Sequence, residues 1–154
     1  MKRTFLKIAA AAACAAVLAG CAATGAKYAE IASTIPAVKA DQSRVYFFRA
    51  SSMVGAAVQP DVRLDGKVVG ESKPGGFFYV DTTPGAHVAS VATETEKTLS
   101  FTLAAGETKY VRQSIGFGVA MGRVVLDLEA AEKARTELAD LAHTGAKPGQ
   151  QASK

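Results

Sequence analysis

From residue 44 the sequence alternates short runs of β-branched and aromatic residues with turns rich in Gly, Pro and Asp. This pattern is typical of antiparallel strands joined by tight turns. The run Val45–Phe48 is apolar at every position, which predicts a strand buried on both faces. Further strands are predicted at 62–64, 68–69, 77–80, 87–93, 98–103, 109–115 and 123–126. About seven to eight strands at this spacing favour a β-sandwich or a small barrel.

Two local signals add detail to the mainly β pattern. Asp65-Gly66 stands between two of the apolar runs, and this dipeptide supplies the positive φ angles of a type I′ hairpin turn. Near the C-terminus, apolar residues recur at helical spacing, with Asp127 as the expected N-cap. The positions are Leu128, Ala131, Ala134 or Arg135, Leu138 and Leu141. We therefore expect one short amphipathic helix, ended by Gly145, whose apolar stripe packs on the sandwich rather than on a partner or a membrane surface.

The N-terminus carries the three parts of a bacterial lipoprotein signal in the right order. Basic residues lead into an apolar stretch over 8–18, and small residues then precede a cysteine. The signal-peptidase recognition residues and the lipid attachment site are, in order, Leu18, Ala19, Gly20 and Cys21. The apolar run is shorter than the roughly 20 residues that span a bilayer. We expect cleavage before Cys21 and a diacylglycerol on its thiol, in preference to an ordinary secretory signal or a spanning helix.

These signals divide the chain into four parts. Residues 1–20 are the expected lipoprotein signal peptide, and 21–42 the lipidated N-terminus and tether, which as free coil would span roughly 25 Å. Within the tether, 27–33 could form a helical turn or pack on the domain. Residues 43–144 are the expected β-sandwich domain with its C-terminal helix, and 145–154 a disordered polar tail.

Processing also changes the charge and the cysteine content. Removal of Lys2, Arg3 and Lys7 lowers the formal net charge by three, from +4 to +1, which leaves no basic footprint for nucleic acid. Cys14 is lost with the signal, so the mature chain keeps only Cys21 and is expected to form no disulfide.

Few residues are candidates for chemistry, and no catalytic residue, metal site or cofactor is predicted. His87 follows a Pro-Gly turn, where its ring is expected to bond a turn carbonyl, and His143 lies where a helix C-terminus would favour a cation. The glycines at 116, 118 and 122 lack the spacing of a phosphate loop and predict a hairpin loop instead. That loop carries Phe117, Val119 and Met121, which we expect to contact a partner or a membrane.

Several motifs resemble those of a family of small Gram-negative lipoproteins whose domain is known only as one of unknown function. They are RVYFFR at 44–49, VRLDGKVVG at 62–70, GFFYV at 76–80, PGAH at 84–87 and AGETKYVR at 105–112. The resemblance covers about Ser43 to Leu141. The shorter core, a D-G hairpin followed by P-G-x-H, is also similar to PEGA domains, although TPGA stands here at 83–86. The resemblance implies an antiparallel β-sandwich with a peripheral role in the cell envelope and no known catalytic residues.

The expected function is that of a lipid-anchored binding or scaffolding module at the outer membrane, facing the periplasm. Ala22, rather than Asp, follows the lipidated cysteine, which resembles the signal for export to the outer membrane in enteric-type bacteria. The partners expected are the membrane itself, through the lipid on Cys21, and an envelope protein or cell-wall component. An alternative is a periplasmic protein that binds a small ligand or cell-wall fragment in a groove near Tyr46, Tyr79 or Tyr110. A hydrolase is the least favoured reading.

Overall fold

The structure, a computed structural model, describes residues 22–117 and 122–145. Two β-sheets pack face to face, and two short helices cover the outer face of the larger sheet. The mainly β sandwich that the sequence predicts is thereby confirmed. The helices add a third layer, so the larger sheet is covered on both sides.

The described residues form nine strands, two α-helices and one 3-10 turn. The helical elements are α1 (Tyr28–Ile31), the 3-10 turn (Ala32–Thr34) and α2 (Ala131–Leu138). The strands are β1 (Ser43–Arg49), β2 (Asp61–Leu64), β3 (Lys67–Glu71), β4 (Gly76–Thr82), β5 (Gly85–Ala92), β6 (Glu96–Leu103), β7 (Thr108–Gly116), β8 (Arg123–Glu129) and β9 (Ala142–His143). Each predicted run thus coincides with a strand, while β9 was not predicted because two residues carry no readable alternation.

The larger sheet has five strands in the order β8-β7-β1-β4-β9, and the smaller has four in the order β3-β2-β5-β6. Most neighbours are antiparallel, as predicted, but β1 pairs with β7 and β4 with β9 in parallel. The larger sheet is therefore mixed. Strand β1 lies at its centre, which explains why that run is apolar at every position.

Strand β1 divides its side chains between two cores because alternate residues of a strand point to opposite faces. Val45 and Phe47 face the smaller sheet, whereas Tyr46 and Phe48 face the helices. The core between the sheets comprises Val45, Phe47, Val62, Leu64, Phe78, Ala89, Val91, Phe101, Leu103, Val111, Val124 and Leu126. The core under the helices comprises Tyr46, Phe48, Phe77, Tyr79, Tyr110, Ala134, Leu138 and Leu141.

The C-terminal helix packs on the sheet as expected, but its predicted start and end are wrong. Leu128 and Glu129 belong to β8, where they pair with Val111 and Tyr110 of β7. Helix α2 begins only at Ala131, after Ala130 as N-cap, so Asp127 caps nothing. It ends at Leu138, well before Gly145. Residues 127–129 form a strand despite their helical spacing, because pairing with β7 satisfies their backbone hydrogen-bonding groups.

The segment before β1 is docked on the domain over part of its length. Tyr28 N–H donates to the Leu141 carbonyl at 2.9 Å, and His143 N–H donates to the Ala26 carbonyl at 2.9 Å. Tyr28, Ile31 and Ile35 pack against the core under the helices. The segment expected to form a tether thus packs on the domain, which is the alternative left open for 27–33. The span of a free 20-residue coil does not describe it.

Candidate functional site

The hairpin turn between β2 and β3 holds the best-formed polar cluster of the molecule. Asp65 has a φ of 52° and Gly66 one of 79°, the geometry of the predicted type I′ turn. The Asp65 carboxylate accepts the Val88 N–H through Oδ1 at 2.9 Å and contacts His87 Nδ1 through Oδ2 at 2.7 Å. The turn is therefore tied to the start of β5.

His87 bridges two turns with both of its ring nitrogens. Nε2 lies 2.7 Å from the Thr83 carbonyl, which is the turn carbonyl that the sequence predicts. Burial opposes the charged ring, but the hydrogen bonds to Asp65 and Thr83 and the Asp65 charge outweigh it, so the pKa of His87 is raised. The pKa of Asp65 is lowered: burial opposes its charge, and the bonds from Val88 and His87 prevail. An imidazolium donating to two acceptors is a structural clamp between turns.

Two buried arginines, which sequence reasoning missed, also bind the fold's own backbone. Arg49 at the end of β1 donates to the carbonyls of Gly55 at 2.7 Å, Val58 at 2.6 Å and Ser72 at 3.0 Å. Burial lowers its pKa. The signal in the sequence is a charged residue directly after the apolar run Val45–Phe48 of the central strand. Its guanidinium fixes the loop between β1 and β2.

Arg44, at the start of β1, forms a bidentate ion pair. Its Nε and Nη2 lie 2.6 and 2.8 Å from the two carboxylate oxygens of Asp81. Nη1 donates to the Pro36 carbonyl at 2.8 Å, and the guanidinium lies 4.5 Å from the ring centre of Tyr79. Arg44 therefore fastens the segment before β1 to the larger sheet.

The tyrosines that the sequence places at a ligand groove are covered instead. Tyr46, Tyr79 and Tyr110 are all buried under the helices, and the Tyr46 and Tyr110 rings stack with centroids 5.4 Å apart. Tyr28 of α1 packs edge-on to Tyr46 at 6.0 Å. Burial raises the pKa of Tyr46 to about 12. At Tyr46 and Tyr79 the N-terminal segment and α2 fill the face where the groove was expected.

A depression lies beside Tyr110, next to Ala131 at the N-terminus of α2. Its volume is about 210 Å³. It is lined by Glu107, Thr108, Lys109, Tyr110, Leu128, Glu129 and Ala131. Small-molecule sites usually occupy about 300–1,000 Å³ and enclose most of the ligand. This depression is smaller than that range.

The prediction of a cationic His143 is also wrong. The helix ends at Leu138, and His143 lies on β9 with its ring buried against Phe77 and Tyr79, at centroid distances of 5.2 and 6.0 Å. Burial lowers its pKa, which favours the neutral ring. Across 22–117 and 122–145, no three His, Cys, Asp or Glu side chains are grouped so as to hold a metal ion.

Apolar side chains are exposed at one end of the larger sheet, which we call the apolar end and define by Met53, Val54 and Phe117. Their relative exposures are 84%, 70% and 102%. The β1–β2 loop, which carries Met53 and Val54, packs on β7 just before Phe117, since a Cβ placed on Gly55 would lie 2.9 Å from the Ile115 side chain. Phe117 was predicted as a contact residue; Val119 and Met121, predicted with it, lie outside the described residues.

The N-terminal segment enters the fold at this same end. Ala23 N–H donates to the Pro74 carbonyl at 3.2 Å, and a Cβ placed on Gly76 would lie 3.0 Å from the Ala23 Cβ. The predicted lipid attachment site, Cys21, and the recognition residues 18–20 lie outside the described residues. Of the two stretches that the structure describes, neither contains a helix with the length and apolar character needed to cross a bilayer.

The fold and its polar clusters define a small β-sandwich domain in which the best-placed charged groups stabilise turns and loops. A family model described as "Protein of unknown function (DUF2846)" matches residues 39–124, which is more than half of the 154-residue chain. This chain therefore belongs to the DUF2846 family. The expected membership in a family of unknown function is confirmed, while the lipoprotein and PEGA-like features stay predictions.

One relative was found in Haemophilus influenzae, described as "Uncharacterized protein". It is 31% identical over 100 residues, which cover 64% of this chain and 59% of the relative. The chain thus matches less than two thirds of the length of that relative.

Proposed function

We propose that this protein is a lipid-anchored binding or scaffolding module of the bacterial cell envelope. The anchor is a lipid on Cys21, the location is the periplasmic side of the outer membrane, and the domain has no catalytic role. Its partner is an envelope protein or a cell-wall component. The Leu-Ala-Gly-Cys signal at 18–21 supports the anchor, and Ala22 supports the outer membrane as destination.

The observation that carries the proposal is the position at which the chain joins the domain. Ala23 is hydrogen-bonded to Pro74, and Cys21 is two residues before it, so at most about 7 Å can separate the two Cα atoms. A lipid on Cys21 would hold the sandwich at the bilayer surface rather than at the end of a long linker. Such a placement suits a module that works on other components of the same membrane.

The absence of a catalytic role is proposed because the strongest polar groups are occupied within the fold. His87 uses both ring nitrogens on Asp65 and Thr83, and Arg49 donates to three loop carbonyls. A hydrolase that used His87 as its base would need Nε2 free for the substrate, whereas this nitrogen lies 2.7 Å from the Thr83 carbonyl. Turnover of ester or glycan substrates that is lost in His87→Gln would overturn this part of the proposal.

Binding of a small ligand is disfavoured by the covered tyrosines and the small depression beside Tyr110. A ligand in the expected groove would have to displace α1 or α2. A thermal shift against cell-wall fragments separates the two functions: we expect no change in Tm, and a reproducible rise would favour the ligand-binding alternative.

The experiment that tests the anchor and names the partner compares three full-length chains in cells. They are the wild type, Cys21→Ala and, as matched control, Cys14→Ala, which alters the other cysteine of the signal region. We expect the wild type and the control to fractionate with outer membranes and to crosslink to one envelope component. Cys21→Ala should leave the membrane fraction. Equal membrane association of all three chains would contradict the proposal.

A further inference from the structure

We infer that the apolar end is the surface on which the domain rests against the lipid bilayer. The inference rests on the proposed function, since a lipid on Cys21 is what brings the domain to the membrane. It adds an orientation and a second contact: Met53, Val54 and Phe117 enter the interface between headgroups and acyl chains.

The topology places Ala23, two residues after the expected lipid attachment site, and the apolar side chains at one end of the larger sheet. Arg49, at the end of β1, pairs with Gly76 at the start of β4, and β7 runs parallel to β1 and continues beyond it to Gly116. The β1–β2 loop, the chain before β4 and the turn after β7 therefore lie together. Ala23 is bonded to the second of these segments, at Pro74.

Direct contacts link these segments. A Cβ placed on Gly75, next to Pro74, would lie 3.5 Å from the Cβ of Ser51, where the β1–β2 loop begins. That loop carries Met53 and Val54, and its Gly55 packs on Ile115 of β7. Phe117 follows β7 directly. A chain leaving the membrane through Cys21 thus meets the apolar end first.

The composition of these segments suits a bilayer surface. Residues 22–26, 50–60 and 113–122 contain no Asp, Glu, Lys or Arg, whereas the chain before β4 carries one ion pair, Lys73 with Glu71. The opposite end of the sheets carries charged residues in its turns and loop ends, among them Lys39, Asp41, Asp65, Lys67, Glu107 and Lys109. Burying a charge in the membrane interface is costly, whereas exposed apolar side chains gain free energy there. The loops that carry Met53, Val54 and Phe117 can therefore approach lipid without desolvating charges of their own, and Lys73 next to them is paired with Glu71 at 3.3 Å.

The loop that carries Met53 and Val54 is held in place by the buried side chain of Arg49. Arg49 donates to the Gly55 and Val58 carbonyls, and the side chain is itself buried. The exposed pair is therefore presented in a fixed position, so little conformational entropy is lost when it enters the interface. On the smaller sheet, the β5–β6 turn at this end carries exposed Glu94, which limits the contact to the larger sheet's loops.

The test uses the full-length lipidated protein with one added cysteine. Since the thiol of Cys21 carries the lipid and Cys14 leaves with the signal, a cysteine at position 53 or 117 is the only free thiol. Met53→Cys and Phe117→Cys are each labelled with an NBD fluorophore and reconstituted into vesicles of phosphatidylethanolamine and phosphatidylglycerol. Val68→Cys, an exposed apolar position at the opposite end, is the matched control.

We expect the labels at 53 and 117 to shift to the blue and to be quenched by doxyl-labelled lipids, while the label at 68 is quenched by aqueous iodide. Intact mass of the same samples reports the lipid on Cys21. Lipid present with all three labels equally open to iodide would overturn the inference and leave the proposed function standing. Absence of the lipid would overturn both. Photocrosslinking from position 117 in cells to a protein instead of lipid would assign the apolar end to a protein partner and overturn the inference.

Discussion

At the scale of single residues, the clearest feature is that ionised side chains stabilise turns and loops from inside. His87 lies between the Asp65 carboxylate and the Thr83 carbonyl, both 2.7 Å from its ring nitrogens. Both contacts are hydrogen bonds only when the ring carries both protons. The stabilising contribution of His87 is therefore tied to its charge.

This charge gives the stability a defined pH dependence. Because the pKa of His87 is raised in the fold, its contribution is fully present below the unfolded value of about 6.5 and is lost as the pH rises through the higher, folded value. The lowered pKa of Asp65 keeps the carboxylate ionised over this range, and its own contribution is lost only as the pH falls into the acid range below about 4.

We predict that His87→Gln lowers the free energy of unfolding by about 1–2 kcal/mol at about pH 5.5 and by less at about pH 8.5. Within this range we expect a loss closer to about 1 kcal/mol, because the Asp65 side chain is half exposed and solvent screens its charge. Urea unfolding of wild type and variant at the two pH values measures the difference in unfolding free energy. His143, whose lowered pKa gives the opposite pH dependence, is present in both proteins, so its effect cancels. A difference that is independent of pH would show that His87 is neutral in the fold.

Arg49 offers a second residue-scale prediction. Its replacement by Leu removes the guanidinium donors to the carbonyls of Gly55, Val58 and Ser72, so we expect a loss of about 2–4 kcal/mol in unfolding free energy. Urea unfolding measures it. Arg63→Leu is the matched control, since Arg63 is exposed with one 3.3 Å bond to the Gly66 carbonyl, and should change stability by less than about 0.5 kcal/mol. Equal effects of the two variants would refute the role given to Arg49.

At the scale of elements, the contact between the sheets depends on a glycine in β3. A Cβ placed on Gly70 would lie 2.5 Å from the ring of Phe78, a buried residue of the core between the sheets. Any side chain at 70 must push this ring away, so only glycine lets β3 close the sandwich without displacing Phe78.

We predict that Gly70→Ala destabilises the protein by about 1–3 kcal/mol through overpacking. Thermal unfolding followed by circular dichroism gives the change. Phe78→Leu replaces the ring by a smaller side chain and supplies the control in a double-mutant cycle. In that background Gly70→Ala should lower the free energy of unfolding by less. Strictly additive effects would show that the two residues do not contact each other.

The docking of the N-terminal segment depends on Gly25 in the same way. A Cβ at this position would clash with the backbone carbonyl of His143. We predict that Gly25→Ala weakens the hydrogen bond from His143 N–H to the Ala26 carbonyl and destabilises the protein by about 1–3 kcal/mol. Hydrogen exchange should show lost protection at Tyr28 and His143. Thr24→Ala, next to it in the chain, is the control, and unchanged protection in Gly25→Ala would contradict the docked segment.

The elements also show where sequence reasoning succeeds and fails. Apolar runs and Asp65-Gly66 predict strands and a hairpin because those signals are local. The parallel pairing of β1 with β7 and the continuation of β8 to Glu129 depend on partners distant in sequence, and helical spacing at Leu128 misleads there. The groove near Tyr46 was predicted because nothing local indicates that Tyr28 covers it. Likewise, Arg49 acts on carbonyls that only the folded loop brings together.

At the scale of the whole molecule, the two ends of the sandwich differ in chemistry. One end carries Met53, Val54 and Phe117 on uncharged loops next to the entering chain, and the other carries charged turns. Sequence reasoning predicted Phe117 as a contact residue from its glycine-rich loop, and the structure shows it exposed. It did not identify Met53 and Val54, whose exposure depends on how Arg49 holds their loop.

The central claim, that Cys21 carries the lipid that holds this domain at the membrane, is tested most directly by intact mass of the protein extracted from membranes. The account predicts that the wild type begins at Cys21 and carries a lipid-sized addition, that Cys14→Ala gives the same mature mass, and that Cys21→Ala lacks the addition. A wild-type chain that begins elsewhere or has the unmodified mass would contradict the anchor, and with it the orientation proposed for the apolar end.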